Sequence, residues 1–294
     1  MSGPEALLGR LAAKSGIPFA RSKLPRSHRV PTVGGVSLHY LDWPGSGDLI
    51  FFLHGGALTA HTWDLVCLDL SEEFHCIALD LRGHGLSDWS DDYTIGASVN
   101  DVEALAQYLR LEAFHIVGMS LGGNVAAHYA ATEGSRAKSL VMVDVGPGVD
   151  FTSTSGMREF MGRPIAGLTV DDLTDAALKV SAQPDRDKLL YRYRHMTRTL
   201  PCGALAWRND QRRPHDFPHI LAKLEELVAL APRMTCPVLI VRGGRSRVLT
   251  DEKVAKFANL FPRGDWTVVA DAGHNVQEDN PRALAAVIRA FLSR

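Results

Sequence analysis

Long hydrophobic runs are missing from this chain. In 294 residues no apolar stretch approaches the ~20 needed to span a membrane, and the N-terminus lacks the uninterrupted apolar segment of a secretory signal. A cytoplasmic protein without a membrane partner is the expectation. An excess of one charge is missing too: 32 Lys and Arg stand against 33 Asp and Glu, a net charge of -1, which offers no electrostatic footprint for nucleic acid. Cysteine is scarce. Cys67, Cys76, Cys202 and Cys236 have no CxxC spacing, and two of them open apolar strand-like runs, so buried reduced thiols are expected. No disulfide framework, metal or cofactor is implied.

What is present suits one globular domain carrying an inserted sub-domain, with 46% hydrophobic residues. Strand patterns over 36–43, 49–53, 76–81, 114–119, 139–145, 238–242 and 266–270 alternate with helical patterns, among them 99–109, 121–131, 251–260 and 281–292. Such alternation predicts an α/β fold, a mostly parallel sheet covered by helices on both faces. Residues 1–29 are basic, with Glu5 the only acid, and include a short amphipathic helix over 5–14 through Leu7, Leu8 and Leu11. They are expected to form a peripheral N-terminal arm packed on the body; a targeting segment or a contact in a homodimer is the second reading. From Gly146-Pro147-Gly148 the alternation gives way to charge-rich helical sequence, so 146–232 is expected to be a helical cap inserted between the core segments 30–145 and 233–294.

The chemistry concentrates just after the strands, where an open α/β sheet gathers its ligands. Gly118-Met119-Ser120-Leu121-Gly122 sits where an apolar strand run meets a helical one. A serine at such a junction occupies a sharp, strained turn that lifts its hydroxyl clear of the sheet, and the flanking glycines leave room for close backbone contacts. His54-Gly55-Gly56-Ala57 follows an earlier strand, Asp80-Leu81-Arg82-Gly83-His84-Gly85-Leu86-Ser87 the next, and Asp144 and Ala272-Gly273-His274 follow later ones.

This ordered set resembles the α/β-hydrolase superfamily from about residue 30 to 294, interrupted by the cap segment. The resemblance implies an α/β-hydrolase fold of about eight strands and a nucleophilic serine, Ser120, with His274 as its base. His54, His75, His84, His115 and His128 are better explained as loop-shaping, exposed or helix-packing residues. The acid departs from the commonest pattern. Where most members carry Asp after the penultimate strand, this chain has Ser246, within Gly243-Gly244-Arg245-Ser246. A minority of the superfamily takes its acid from the strand after the nucleophile strand, which here is Asp144. A carboxylate ending an apolar strand is costly to bury without a partner. Asp251 and Glu252, which look like a helix first turn, and a purely local capping role for Asp144 are the alternatives. The oxyanion donors are expected to be the backbone N–H of Leu121 and that of Gly56, or else of Ala57.

The segment from Arg186 to Arg213 is strongly basic, and Arg192, His195 and Arg198 fall at helical spacings that share one side, with Trp207 nearby. One reading is a solvated helix face; the other is a carboxylate-binding group for the substrate. The expected activity is cofactor-independent hydrolysis of a carboxylic ester of a small molecule through an acyl-enzyme. Hydrolysis of an amide, lactone or carbon–carbon bond on a small carboxylate-bearing substrate, and a non-catalytic ligand-binding role, are the alternatives. Ser in place of Asp as nucleophile disfavours the epoxide hydrolase and haloalkane dehalogenase branches.

Overall fold

The computed structural model describes residues 3–31, 35–132, 136–181, 184–212 and 217–294. In chain order its main elements are α1 (Pro4–Lys14), β1 (Arg26–Pro31), β2 (Ser37–Trp43), β3 (Leu49–Leu53), α2 (Asp64–Leu70), β4 (His75–Leu79), α3 (Ile95–Tyr108), β5 (Phe114–Met119), α4 (Leu121–Thr132) and β6 (Ala137–Val143). There follow α5 (Ser155–Met161), α6 (Val170–Leu178), α7 (Arg186–Met196), β7 (Thr197–Thr199), β8 (Leu205–Trp207), α8 (Phe217–Leu230), β9 (Val238–Gly243), α9 (Asp251–Ala258), β10 (Gly264–Val269), α10 (Val276–Asp279) and α11 (Pro281–Leu292).

Eight strands form one sheet in the order β1-β2-β4-β3-β5-β6-β9-β10. β1 and β2 run antiparallel to their neighbours and the remaining pairs are parallel. Parallel strands covered on both faces read as continuous apolar runs, and β5 is buried at every position. Side-chain alternation divides the core: Ile50 and Phe52 of β3 join a cluster on one face with Leu7, Trp63 and Leu284, while Phe51 and Leu53 join the cluster on the other with Val102, Val125 and Leu227. The chain leaves β3 for β4 on one side and then crosses to β5 on the other. The crevice outside the carboxyl ends of β3 and β5 is therefore a topological switch point, where ligands bind in such sheets.

Three elements add detail to the sequence expectation. The sheet takes in β1, which pairs Arg26 with Asp42 through Pro31 with Ser37. Its polar, mostly exposed pattern and terminal proline suit an edge strand and hide it from a hydrophobic reading. Helix α1 packs on the body through Leu7, Leu8 and Leu11, which are buried; Arg10 and Lys14 pair with Asp187 within α7, and Lys14 also with Asp185 just ahead of it. Helix α8 rejoins the sheet layer, since Asn124 Nδ2 donates to the Ile220 carbonyl at 3.1 Å and Leu224 and Leu227 are fully buried. Between β6 and α8 the chain forms α5, α6, α7 and the β7–β8 ribbon. Cys67 and Cys76 are buried and free as expected, whereas Cys202 is exposed in the turn between β7 and β8. Among the described residues no helix is long and apolar enough to cross a membrane.

Candidate active site

Ser120 occupies the tight turn between β5 and α4 with φ 51°, in the left-handed region. The turn works only because its neighbours lack side chains: a Cβ on Gly118 would lie 2.2 Å from the Gly122 carbonyl oxygen, and one on Gly122 would lie 2.3 Å from that of Leu53. At Gly55 a Cβ would meet the Met119 sulfur at 2.5 Å and would touch Ser120 Cβ at an ordinary 3.4 Å. The serine therefore sits directly against the His54–Ala57 loop. Ala57, Asp144 and Asp271 also have positive φ. With Ser120 they make four strained non-glycine residues on the loops that follow β3, β5, β6 and β10, the clustering of strain found at functional edges.

Asp144 directly follows β6 and is wholly buried. Its Oδ2 accepts from His274 Nδ1 at 2.8 Å and from the Ser246 hydroxyl at 2.5 Å, and its Oδ1 accepts from the Gly243 N–H at 3.1 Å. The carboxylate thus has charge-assisted partners from two neighbouring strand ends, which makes its burial tolerable. Ser246, the residue standing where a carboxylate was looked for, contributes a donor to the carboxylate supplied one strand earlier. Its role escaped the sequence reading; the signal was the coincidence of a serine there with an acid at residue 144. Asp251 instead pairs with Arg242 at 3.1 Å in the first turn of α9, which Thr250 caps, and its side chain is 62% exposed. It makes no contact with His274.

The Nδ1 contact leaves His274 Nε2 without a protein hydrogen bond among the described residues, and Ser120 Oγ is likewise uncommitted. The N–H groups of Leu121, at the start of α4, and of Gly56 have no protein acceptor among the described residues. The Ala57 N–H does: it donates to His84 Nε2 at 3.1 Å. Of the two loop donors considered, Gly56 is the one left open.

The loops are locked by the histidines set aside as structural. His54 Nδ1 donates to the Gly55 carbonyl and its Nε2 accepts from the Leu81 N–H at 3.0 Å; burial holds it below the usual imidazole pKa. His84 is fixed between the Arg82 carbonyl and Ala57. Asp80, 1% exposed, ties three segments by accepting from His39 at 2.7 Å, from the Ala60 N–H at 2.6 Å and from the Leu86 N–H at 2.9 Å. Burial alone would raise its pKa, but His39, His54 and the Ala60 N–H outweigh this and bring it down to about 2.

Beside this loop lies a small, partly open cavity of about 30 Å³. Its wall includes Leu58 and Thr59, which follow the Gly56–Ala57 turn, Gln277 and Glu278, which follow His274, and Arg192 and His195 from α7. Arg192 is ion-paired with Glu278, both side chains 13% exposed. His195 stacks on His61 with ring centroids 3.6 Å apart.

The other basic-run candidates part company from these two. Helix α7 ends at Met196, so Arg198 lies on β7, where its guanidinium stacks over Trp89 at 5.3 Å. The helical spacing that joined it to Arg192 and His195 does not apply. Trp207 is buried, donates Nε1–H to the Arg163 carbonyl at 3.0 Å and packs near Tyr193, so it builds the insert's own core. Arg213 lies outside the described residues.

A sheet of this order, with a strained serine turn at its switch point and a buried acid–histidine pair beyond it, defines the hydrolase class of α/β fold. The sequence profile of the Alpha/beta hydrolase family matches residues 50–287, and the chain belongs to that family. It is 36% identical to esterase Rv0045c of Mycobacterium tuberculosis over 98% of this chain and 95% of that protein. A solved structure of that esterase has a TM-score of 0.81 at 30% identity, covering 100% of this chain and 99% of the other. The chain is also 29% identical to 2-(acetamidomethylene)succinate hydrolase of Mesorhizobium japonicum, over 88% of this chain and 93% of that enzyme. A solved E-2-(acetamidomethylene)succinate hydrolase gives a TM-score of 0.79 at 25% identity, covering 92% and 100%. The protein is a hydrolase.

Proposed function

We propose that this protein is a serine hydrolase that cleaves a carboxylic ester of a small molecule, with Ser120 as nucleophile, His274 as base and Asp144 as the acid that orients it. The observation that carries the reading is the 2.8 Å contact between His274 Nδ1 and the wholly buried Asp144, on the same sheet edge as the strained Ser120 turn. Asp144 fixes the tautomer in which Nε2 accepts a proton. Ser120 Oγ attacks the ester carbonyl carbon as Nε2 takes its proton, and the oxyanion is held by the N–H groups of Leu121 and Gly56. His274 then returns the proton to the leaving alcohol. Water, deprotonated by the same imidazole, releases the acid and regenerates Ser120. In this reading the segment from α5 to β8 acts as a cap over the site, and the enzyme works in the cytoplasm.

Ester cleavage is preferred because the relative that matches nearly the full chain, at 36% identity, is an esterase. Amide cleavage on a carboxylate-bearing substrate is the second reading, favoured by the likeness to 2-(acetamidomethylene)succinate hydrolase. Against it, the buried cavity arginine, Arg192, is already neutralised by Glu278. The test is labelling of the folded protein by a fluorophosphonate, read by mass spectrometry, beside hydrolysis of a p-nitrophenyl ester panel. Modification at Ser120, lost in Ser120→Ala together with turnover, is the expected result. No labelling of the folded wild type, or equal labelling of Ser120→Ala, refutes the serine mechanism and returns the binding-protein alternative.

A further inference from the structure

The proposed hydrolytic machinery leaves one cluster of chemically capable side chains unused. His61 stands in the single turn of 3-10 helix just ahead of α2, Asp64 is the first residue of α2 and His195 stands on α7, and all three line the cavity. Each offers a ligand atom, and those three atoms lie within 4.8 Å of one another. The polar bookkeeping of the cluster is incomplete. Asp64 is 2% exposed; its Oδ2 accepts from His61 Nδ1 at 2.8 Å and from the Tyr191 hydroxyl, while its Oδ1 is buried with no protein partner. His195 Nε2 is also buried with no protein partner. A buried carboxylate oxygen and a buried imidazole nitrogen left unsatisfied together are costly, and a bound cation satisfies both.

We infer that His61, Asp64 and His195 form a binding site for a divalent first-row transition metal of the zinc type, built between the α7 segment and the sheet domain. Two imidazoles and one carboxylate are a donor set such ions accept, with the fourth position open to the cavity for water or a ligand oxygen. Zinc bonds of ~2.0–2.2 Å set donors closer together than 4.8 Å, so binding draws the stacked rings and the carboxylate inward. The ligands stand at positions 61, 64 and 195, a separation with no local motif, which is why the sequence implied no metal. Because one ligand comes from α7 and two from the sheet domain, the ion joins the two parts across the cavity.

The experiment is titration of the purified full chain, freed of metal with a chelator, with Zn2+ in competition with a chromophoric chelator. The wild type is expected to take up one equivalent. His195→Ala and His61→Ala are each expected to bind it about a hundredfold more weakly or worse, a loss at least as large as that from removing the partner of a metal ligand. Circular dichroism and melting temperature establish that the variants are folded. The near-isosteric Asp64→Asn, expected to weaken binding about tenfold or more, serves where a histidine variant is not. Zn2+ affinity within about threefold of wild type in the folded variants overturns the inference, as does the absence of saturable wild-type binding below about 1 mM. The readout is binding, so its failure is distinguishable from failure of the serine mechanism.

Discussion

Replacing Asp144 by asparagine tests the relocated acid at the point where the structure is most specific. The carboxylate accepts three hydrogen bonds, from His274 Nδ1, the Ser246 hydroxyl and the Gly243 N–H, at zero exposure. An amide in the same shape has one acceptor oxygen and one donor NH2. If the oxygen faces His274 and Ser246, the NH2 opposes the Gly243 N–H; if the amide is reversed, it opposes His274 Nδ1–H and favours the wrong tautomer. In both cases the charge that stabilises the imidazolium is gone. The same change in a Ser-His-Asp triad costs ~10⁴ in kcat, about 5 kcal/mol of transition-state stabilisation, and a loss of 10³–10⁴ is expected here. Ser246→Ala removes one donor and leaves two, so its cost is bounded by one hydrogen bond to a charged group, about 2 kcal/mol, or at most about thirtyfold. Introducing Ser246→Asp into the Asp144→Asn background returns a carboxylate to the same histidine and should recover part of the loss. The assay is p-nitrophenyl ester kinetics on variants with matched melting curves. Wild-type-like kcat in Asp144→Asn, within about tenfold, refutes the assignment and returns Asp251 or Glu252 to consideration, although neither contacts His274.

Asp80 predicts a pH dependence of stability. Its folded pKa lies near 2, below the ordinary 3.8, so it contributes stability in full above about pH 4, roughly 2 kcal/mol, and loses it as pH falls through that window, about half being gone by pH 3. Urea unfolding of wild type and Asp80→Asn at pH 6 and pH 3 checks this; an equal gap at both pH values contradicts it. Gly122→Ala is expected to destabilise by about 3 kcal/mol, because its Cβ meets the backbone oxygens of Leu53 and His54, which cannot move aside as a side-chain tip would. It should also abolish fluorophosphonate labelling by displacing the turn; a wild-type melt and full labelling contradict the account.

Parallel strands and their helices were legible because burial on both faces writes itself as apolar runs: β3, β5 and α11 begin and end where the pattern placed them. β1 was not, since an edge strand exposed along Arg26–Pro31 has no apolar signature. For α8 the amphipathic pattern states that one face is buried but not against what; the contact of Asn124 with Ile220 answers that. The basic run misled for a related reason. Helical spacing joins Arg192 to Arg198 only while the helix lasts, and Thr197 is extended, with φ -120° and ψ 160°.

The acid shows most clearly why local pattern gives out. A single sequence records that residue 246 is serine and residue 144 is aspartate, with further acids at 251 and 252. What decides is three-dimensional adjacency. β6 and β9 are neighbours in the sheet, with Val143 paired to Val241, so the first residues past each strand share the same space. A carboxylate delivered from either strand end can reach a histidine carried by the loop after β10, provided the other strand end supplies a small donor and not a second charge. Two carboxylates there would compete for one proton. In the proposed triad Ser246 is therefore a condition for Asp144 to serve, and the restoration expected from Ser246→Asp depends on residue 144 being neutral at the same time: alone, on the wild-type background, Ser246→Asp should impair turnover.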